Sequence, residues 1–417
     1  MFYNMSWATF LWILIAFLLV DAIKTYMEIW RRPKVREFDT DLSRVTALIP
    51  TYNGGKVIGQ TLEDLLKMGL SQEQIVVVDD GSTDDTAQIV KSFGVRYFWI
   101  PNMGKVHAIH FGIFRVNTDY VLLLDDDTRV ADMKLPTSLM SSYSAVAFKV
   151  LPDRRNRYGP KGQSFTSCIQ RYEYAKSMEI GRRFLDGTAS ISCVSGAVGL
   201  FHTKRLIDLH HHHSGAFEGE DFQRTILEHL YGGNVAFVEQ TAWTSAPDNF
   251  RGLFRQRLRY WYPAHYHMFL NYLKLMVKPH TPGRLRAEMA YNMVVVLGEP
   301  LRFWSLVMLA YHQVWEAFAL IYGLYFALEI YPFVTIQRQM DTGKRLAVLF
   351  VYPVYNMCVL VLRVLAVFVW LWKRFVSKEM KSKTAKDRKW WVPADADFQP
   401  ATVESEEEEE LYANITR

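Results

Sequence analysis

Two parts of this chain are too apolar for water, and they bracket one that is not. Residues 5–23 carry a single charge, Asp21, near their end. Residues 301–334 and 346–371 are apolar runs broken by few polar groups, among them His312, Gln313, Glu316, Asn356 and Arg363. Each run is long enough to cross a bilayer as a helix. Polar groups inside such runs face protein or an aqueous cavity, because lipid cannot solvate them. Residues 31–259 between them read as a soluble domain. Half of the 417 residues are hydrophobic, an average that conceals the division.

The basic residues follow the apolar runs. Arg31, Arg32, Lys34 and Arg36 come after the first; Lys373, Arg374, Lys378, Lys381, Lys383, Lys386, Arg388 and Lys389 come after the last. Positive charge collects on the cytoplasmic side. The expectation is an integral plasma-membrane protein with three spans, its first residues outside and its hydrophilic mass in the cytoplasm. The first run is not read as a signal peptide, since no basic residue precedes it and no small-residue cleavage site follows. The second is one tilted helix, or an interfacial piece followed by a span. The expected division is an N-terminal transmembrane helix at 1–30, a catalytic domain at 38–259, interfacial helices at 260–300, membrane segments at 301–334 and 346–372, and a charged cytoplasmic tail at 378–417. A net charge of +5 with no basic, aromatic-interleaved face excludes a nucleic-acid partner. Three scattered cysteines make neither a metal knuckle nor a disulfide framework.

The soluble part alternates strand and helix patterns. Strand candidates lie at 45–49, 75–78, 95–100 and 120–124, with helices at 55–68, near Thr83, and at 105–116. This is the rhythm of a parallel sheet covered on both faces, which binds ligands beyond the carboxyl ends of its strands. The first loop, Pro50 to Gly55, lacks a dinucleotide fingerprint, and there is no P-loop. Carboxylates stand at the strand ends instead: Asp79 and Asp80, then Asp125, Asp126 and Asp127. Acids where a phosphate should bind require a divalent cation between them. The pattern asks for Mg2+ or Mn2+ with a diphosphate.

Five elements in order carry a resemblance: residues 50–53 (Pro-Thr-Tyr-Asn), 78–84 (Val-Asp-Asp-Gly-Ser-Thr-Asp), 125–127 (Asp-Asp-Asp), 219–221 (Gly-Glu-Asp) and 256–259 (Gln-Arg-Leu-Arg). Together they resemble the inverting family 2 glycosyltransferases, and most closely the processive membrane synthases of hyaluronan, chitin, cellulose and poly-N-acetylglucosamine. The resemblance implies an α/β GT-A nucleotide-sugar-binding domain, with a mixed, mainly parallel sheet, inserted between transmembrane helices. By the same resemblance, Thr51, Tyr52, Asp79 and Asp80 hold the uridine of a UDP-sugar, and Lys105 lies near the base or diphosphate. Asp125 and Asp127 form the Asp-x-Asp pair that places the metal. Gln256, Arg257 and Arg259 match the Gln-x-x-Arg-Trp signature, with Tyr260 in the Trp position and Trp261 after it; either aromatic could line the acceptor. Ser195, Gly196 and Glu220 fall on the acceptor side, and 170–174 matches a Gln-x-x-Glu-Tyr helix.

An acceptor hydroxyl is a poor nucleophile, so inversion by single displacement needs a base away from the donor phosphates. Asp221, at the start of a helix pattern, meets that description. The expected reaction transfers a sugar from a UDP-sugar to the hydroxyl end of a growing polysaccharide, with inversion. The spans either pass the product outward or anchor the domain. Membrane lipid, a glycan acceptor, and a homo-oligomer or export partner are the expected company. The alternatives are a single transfer to a polyprenyl phosphate or glycolipid, and a non-catalytic scaffold or transporter, which would have lost carboxylates that are present here.

Overall fold

The computed structural model describes residues 6–31, 35–153, 164–187, 191–213, 219–279, 281–339 and 344–376. The tail at 378–417, and Arg32 and Lys34 of the first basic cluster, lie outside them. A long helix, α1 (Trp7–Trp30), precedes the α/β domain. The domain then runs β1 (Val45–Thr51), α2 (Ile58–Met68), β2 (Ile75–Asp79), α3 (Thr86–Ser92), β3 (Arg96–Trp99), α4 (Lys105–Ile113), β4 (Tyr120–Leu124) and β5 (Ala145–Pro152). It continues through α5 (Phe165–Ala175), α6 (Arg183–Gly187), β6 (Val198–His202), α7 (Thr203–His211), α8 (Glu220–Leu230), β7 (Val235–Thr244) and α9 (Phe250–Gln256). Four helices follow: α10 (Tyr262–Val277), α11 (Gly283–Tyr311), α12 (Trp315–Ile336) and α13 (Arg345–Leu371).

The seven strands form one sheet in the order β3-β2-β1-β4-β6-β5-β7. β1 pairs parallel with β2 and β4, β2 with β3, and β5 with β7; β6 runs antiparallel to both β4 and β5. β1, β2 and β4 are buried throughout, as parallel strands with helices on both faces must be. Alternate β1 residues serve the two layers: Val45, Ala47 and Ile49 pack with Ile58, Leu62 and Leu65 of α2, and Leu48 packs with Ala108 and Ile109 of α4. The chain moves outward from β1 to β3, then returns to place β4 on the other side of β1. That reversal opens a crevice at the carboxyl ends of β1 and β4. The antiparallel β6 starts beside the end of β4, with Val198 opposite Leu124, so the loop before it joins the same crevice.

Among the described residues, four helices are long and apolar enough to cross a membrane: α1, α11, α12, and α13 with its π-helical extension to Val376. They flank the α/β domain and are consistent with membrane integration and a cytoplasmic domain. The apolar run at 301–334 is not one segment. α11 begins at Gly283, within the stretch expected to be interfacial, and the chain turns at 312–314 before α12. The cause is a Schellman closure without glycine. Gln313 takes φ +57°, the Val314 N–H donates to the Leu309 carbonyl and the Gln313 N–H to that of Ala310, both at 3.0 Å.

Phe10 and Leu14 of α1, Met308 and Leu309 of α11, and Ala317 and Ile321 of α12 share one cluster, with Met357 of α13 packed against it. At their other ends, Arg31 donates to the Gly187 carbonyl, and Glu329 of α12 pairs with Lys176 at 2.8 Å. α13 reaches the α/β domain from both halves: Tyr352 packs edge-on against Tyr172, and Lys373 donates to the Arg259 carbonyl. α1 and α12 thus run from that cluster to the α/β domain, while α13 touches the cluster through Met357 and the domain through Tyr352 and, just past its end, Lys373. In a Cys358→Ser background, Ser6→Cys should label from outside intact cells with an impermeant thiol reagent, and Val376→Cys should not. External labelling at 376 would make α13 a fourth crossing and reject this arrangement.

Candidate active site

The β1–β4 crevice is built by local hydrogen bonds that the strand ends dictate. Thr51, the last residue of β1, donates its hydroxyl to Asp126 at 2.6 Å. Beyond β4, the Asp125 N–H donates to the Ala197 carbonyl at 3.0 Å, which ties the 195–197 loop to the acidic turn. Lys105 opens α4, and Asp80 fixes its approach: one carboxylate accepts the N–H groups of Met103 (2.7 Å) and Gly104 (2.8 Å). Asp79 is also used internally, accepting from the Ser82 N–H and the Tyr97 hydroxyl, both at 2.7 Å.

One cavity of about 1170 Å³ is lined by Lys105, Asp125, Asp127, Ser195, Gly196, Glu220, Asp221, Gln256, Tyr260 and Trp261. The structure therefore brings together ten of the residues singled out from sequence, from five separate segments. Thr51, Tyr52, Asp79, Asp80, Arg257 and Arg259 do not line it. Tyr52 is exposed, on a loop at the same edge of the sheet, while Asp79 and Asp80 are buried.

The two arginines point elsewhere. Arg257 is fully buried, pairs with Glu173 of α5 at 2.6 Å, and lies 3.4 Å from the ring centre of Trp261. Removing one partner of such a pair strands a charge, at a cost of about 3–5 kcal/mol. It braces α5 against the segment after α9. Arg259 is exposed. The cause is a π-helical stretch, Arg257–Trp261, between α9 and α10. Its wider turn changes which residues face inward, and it sends both Tyr260 and Trp261 to the cavity. A second π stretch, Lys176–Arg182, follows α5 and also lines the cavity. Sequence periodicity carries no signal for either. Tyr174 of α5, 5.7 Å from the Trp261 ring centre, joins the same wall.

Elsewhere in the cavity lining, α8 starts after Gly219, whose φ is +74° and where a Cβ would come within 2.8 Å of Ala264. Both facts require glycine. Asp221 accepts the Gly196 N–H at 2.8 Å on one oxygen and the Phe222 N–H at 2.8 Å on the other. Lys105 Nζ sits 2.6 Å from Asp125 and 2.9 Å from Glu220, joining the two sides. Burial works to raise the Glu220 carboxyl, but Lys105 and Arg224 outweigh it and hold it down at about 2. Burial raises the Asp221 carboxyl, and the Glu220 charge adds to this; the Gly196 hydrogen bond opposes without reversing it. The helix start alone would have lowered it. Burial also pushes Asp125 up to about 7, against Lys105 and with Asp127. His210 and His213, the ends of a run of four histidines at 210–213, stack in the core with ring centres 5.6 Å apart, and His110 stacks on His210.

A divalent ion fits this donor set. Mg2+ takes one or two carboxylates and completes its shell with phosphates and water, and Asp125 and Asp127 supply two. Among the described residues, no three His, Cys, Asp or Glu side chains gather to hold an ion unaided.

Comparison with known proteins agrees with the geometry. Residues 46–200 match the model of glycosyl transferase family 2. The poly-beta-1,6-N-acetyl-D-glucosamine synthase of Staphylococcus aureus (strain COL) is 25% identical over 252 residues, covering 58% of this chain and 60% of that protein. The Staphylococcus epidermidis enzyme of that name is 26% identical over 226 residues, covering 52% and 53%. The chain thus spans three fifths or less of the length of these curated relatives. A mannosyltransferase from Pyrobaculum calidifontis, solved with GDP-Man and Mn2+, superposes with a TM-score of 0.55 at 17% identity, covering 88% of this chain and 99% of that one. The fold is GT-A-like.

Proposed function

We propose that this chain, whose residues 46–200 match the glycosyl transferase family 2 model and whose GT-A-like domain is flanked by long apolar helices, is a membrane enzyme that transfers a sugar from a UDP-sugar, with inversion, to the hydroxyl end of a growing glycan. The observation that carries this is the cavity. It holds Asp125 and Asp127 at one wall and Asp221 at another, and it extends between the helices to Phe17, Tyr291, Arg302 and Asn356.

Asp125 and Asp127 would hold Mg2+ or Mn2+. When bound, the ion offsets the diphosphate charge and stabilises the leaving group. The chain's own residues do the rest. Asp221, fixed by the Gly196 N–H, accepts the proton of the attacking hydroxyl. Its raised affinity for a proton makes it a better base than an exposed aspartate. Lys105 supplies positive charge between donor and acceptor. Tyr260 and Trp261 offer flat faces to the acceptor rings. The exposed Tyr52 is placed to stack on the base, with Thr51, Asp79 and Asp80 shaping that loop edge. Arg257 holds the acceptor wall in place rather than touching phosphate, and Arg259 would reach the diphosphate only by moving.

Charge pairing favours a glycan acceptor over a polyprenyl phosphate. In the helix-lined part of the cavity, Lys24 pairs with Glu28 and Glu288, Arg302 with Asp21, and Arg363 with Glu299. In that part of the cavity, a lipid phosphate would have to displace a carboxylate to gain one of these cations. The test is to incubate the purified protein with a panel of UDP-sugars, measure UDP release and size the product. Long products with scarce acceptor are expected. Products one sugar longer than the acceptor, across all donors, would replace this reading with a single transfer to lipid.

A further inference from the structure

Asp125, Asp127, Glu220 and Asp221 are four of the carboxylates that line the cavity. Such a group is repulsive unless positive charge stands among its members. Lys105 provides it, with Nζ 2.6 Å from Asp125 and 2.9 Å from Glu220. The placement is built rather than incidental. Lys105 is the first residue of α4, where the helix's own dipole disfavours a cation. Gly104 before it takes φ +98°, and Asp80 clamps the loop through the Met103 and Gly104 N–H groups. The far end is confined as well. A Cβ on Gly196 would lie 3.2 Å from Glu220, 3.4 Å from Asp221 and 3.4 Å from Nζ itself. The ammonium is thus held at the junction of the donor and acceptor walls.

We infer that Lys105 is a tethered counter-cation: in the unloaded enzyme its ammonium holds Asp125 and Glu220 together, keeps free divalent ions off Asp125, and yields that carboxylate when a nucleotide diphosphate arrives. The inference rests on the reading of Asp125 as a metal-holding residue. Its logic is charge exchange. A free ion that takes Asp125 leaves the ammonium with one carboxylate fewer and adds a second cation beside it. An ion arriving with a diphosphate brings anionic oxygens that replace the lost partner. Metal and nucleotide therefore bind together far better than metal binds alone. Glu220 keeps hold of the lysine during the exchange, so the cation does not leave the acceptor side, and Lys105 acts as a positioning residue for the acidic cluster.

The test reads Mn2+ binding directly, by electron paramagnetic resonance of the free ion, on the full chain in detergent with no nucleotide, sugar or acceptor. The parent protein should bind Mn2+ weakly. Lys105→Met should bind it at least about tenfold more tightly, since one opposing charge within contact distance is removed. Lys105→Arg should stay weak, and adding Asp125→Asn to Lys105→Met should abolish the gain. Addition of UDP should tighten Mn2+ binding to the parent protein by a larger factor than to Lys105→Met. If Lys105→Met is poorly folded, Lys105→Gln serves in its place. Binding no tighter in either neutral variant overturns the inference, as does a gain that survives Asp125→Asn. No step uses turnover: tightened Mn2+ binding in a protein that transfers no sugar would reject the proposed function and leave this inference standing, and the reverse result would do the opposite.

Discussion

Asp221→Asn should turn over about 10²- to 10⁴-fold more slowly than the parent enzyme while binding UDP with little change. At about 1.36 kcal/mol per tenfold, that is roughly 2.7–5.4 kcal/mol of transition-state stabilisation. Asparagine matches the size of aspartate and can still accept the Gly196 N–H that Asp221 takes at 2.8 Å, so the 195–197 loop keeps its anchor. What is lost is the capacity to take a proton. A capping role alone predicts something else: loss of a cap costs about 1 kcal/mol of stability and leaves chemistry alone. Melting temperature against kcat separates the two. The acid side of the pH profile gives a second readout. Burial and the Glu220 charge raise the Asp221 carboxyl, so it is protonated, and idle as a base, at pH values where an exposed aspartate would still be ionised. The acid limb of kcat/KM should sit above the ordinary aspartate range, and Glu220→Gln, which removes one raising charge, should move it down with a smaller loss of rate. Near-parental turnover in Asp221→Asn would remove this residue from the mechanism.

What the sequence could show and what it could not divide along physical lines. β1, β2 and β4 were legible because each is a short, mostly apolar run with acid or polar residues at its end, and β3 because of the aromatic run at residues 97–99; the crevice followed from their order. Asp221 was singled out because the proposed chemistry asks for a carboxylate apart from the donor acids, and the structure places it in one cavity with Asp125 and Asp127. β5, β6 and β7 were not picked out, although the family resemblance implied a mixed sheet of this kind. The turn at 312–314 was hidden because its positive-φ position is Gln313 rather than glycine, which leaves the apolar run visually unbroken. The inward turn of Arg257 was hidden because a π-helical stretch inserts a register change that a 3.6-residue period cannot reveal. Asp79 and Asp80 illustrate a third limit. Their position at a strand end points to ligand binding, yet they accept hydrogen bonds from Ser82, Tyr97, Met103 and Gly104, and all of these but Ser82 are distant in sequence.

Chelation of divalent ions should abolish sugar transfer, and Mg2+ or Mn2+ should restore it. The donor's diphosphate must leave as an anion into a cavity that already holds Asp125, Asp127, Glu220 and Asp221. Against these stands Lys105, already engaged with two of them. Lys105 cannot serve both its carboxylates and a diphosphate, Arg224 already acts on Glu220, and Arg257 is committed to Glu173; Arg182 is a further cation in the lining. A divalent ion would add positive charge where the diphosphate leaves, and Asp125 with Asp127 forms the donor pair suited to it. Asp127 is the better residue to test, because Asp125 is tied to Lys105 while the described contact of Asp127 is a 3.3 Å hydrogen bond from the Thr244 hydroxyl. Asp127→Ala should weaken UDP binding when metal is present and change it little when metal is absent. Isothermal titration with UDP in chelator and in Mn2+ gives both numbers. A purely structural role for Asp127 would weaken binding equally in the two buffers, and full turnover in chelator would show that the chain's own cations carry the leaving group without help.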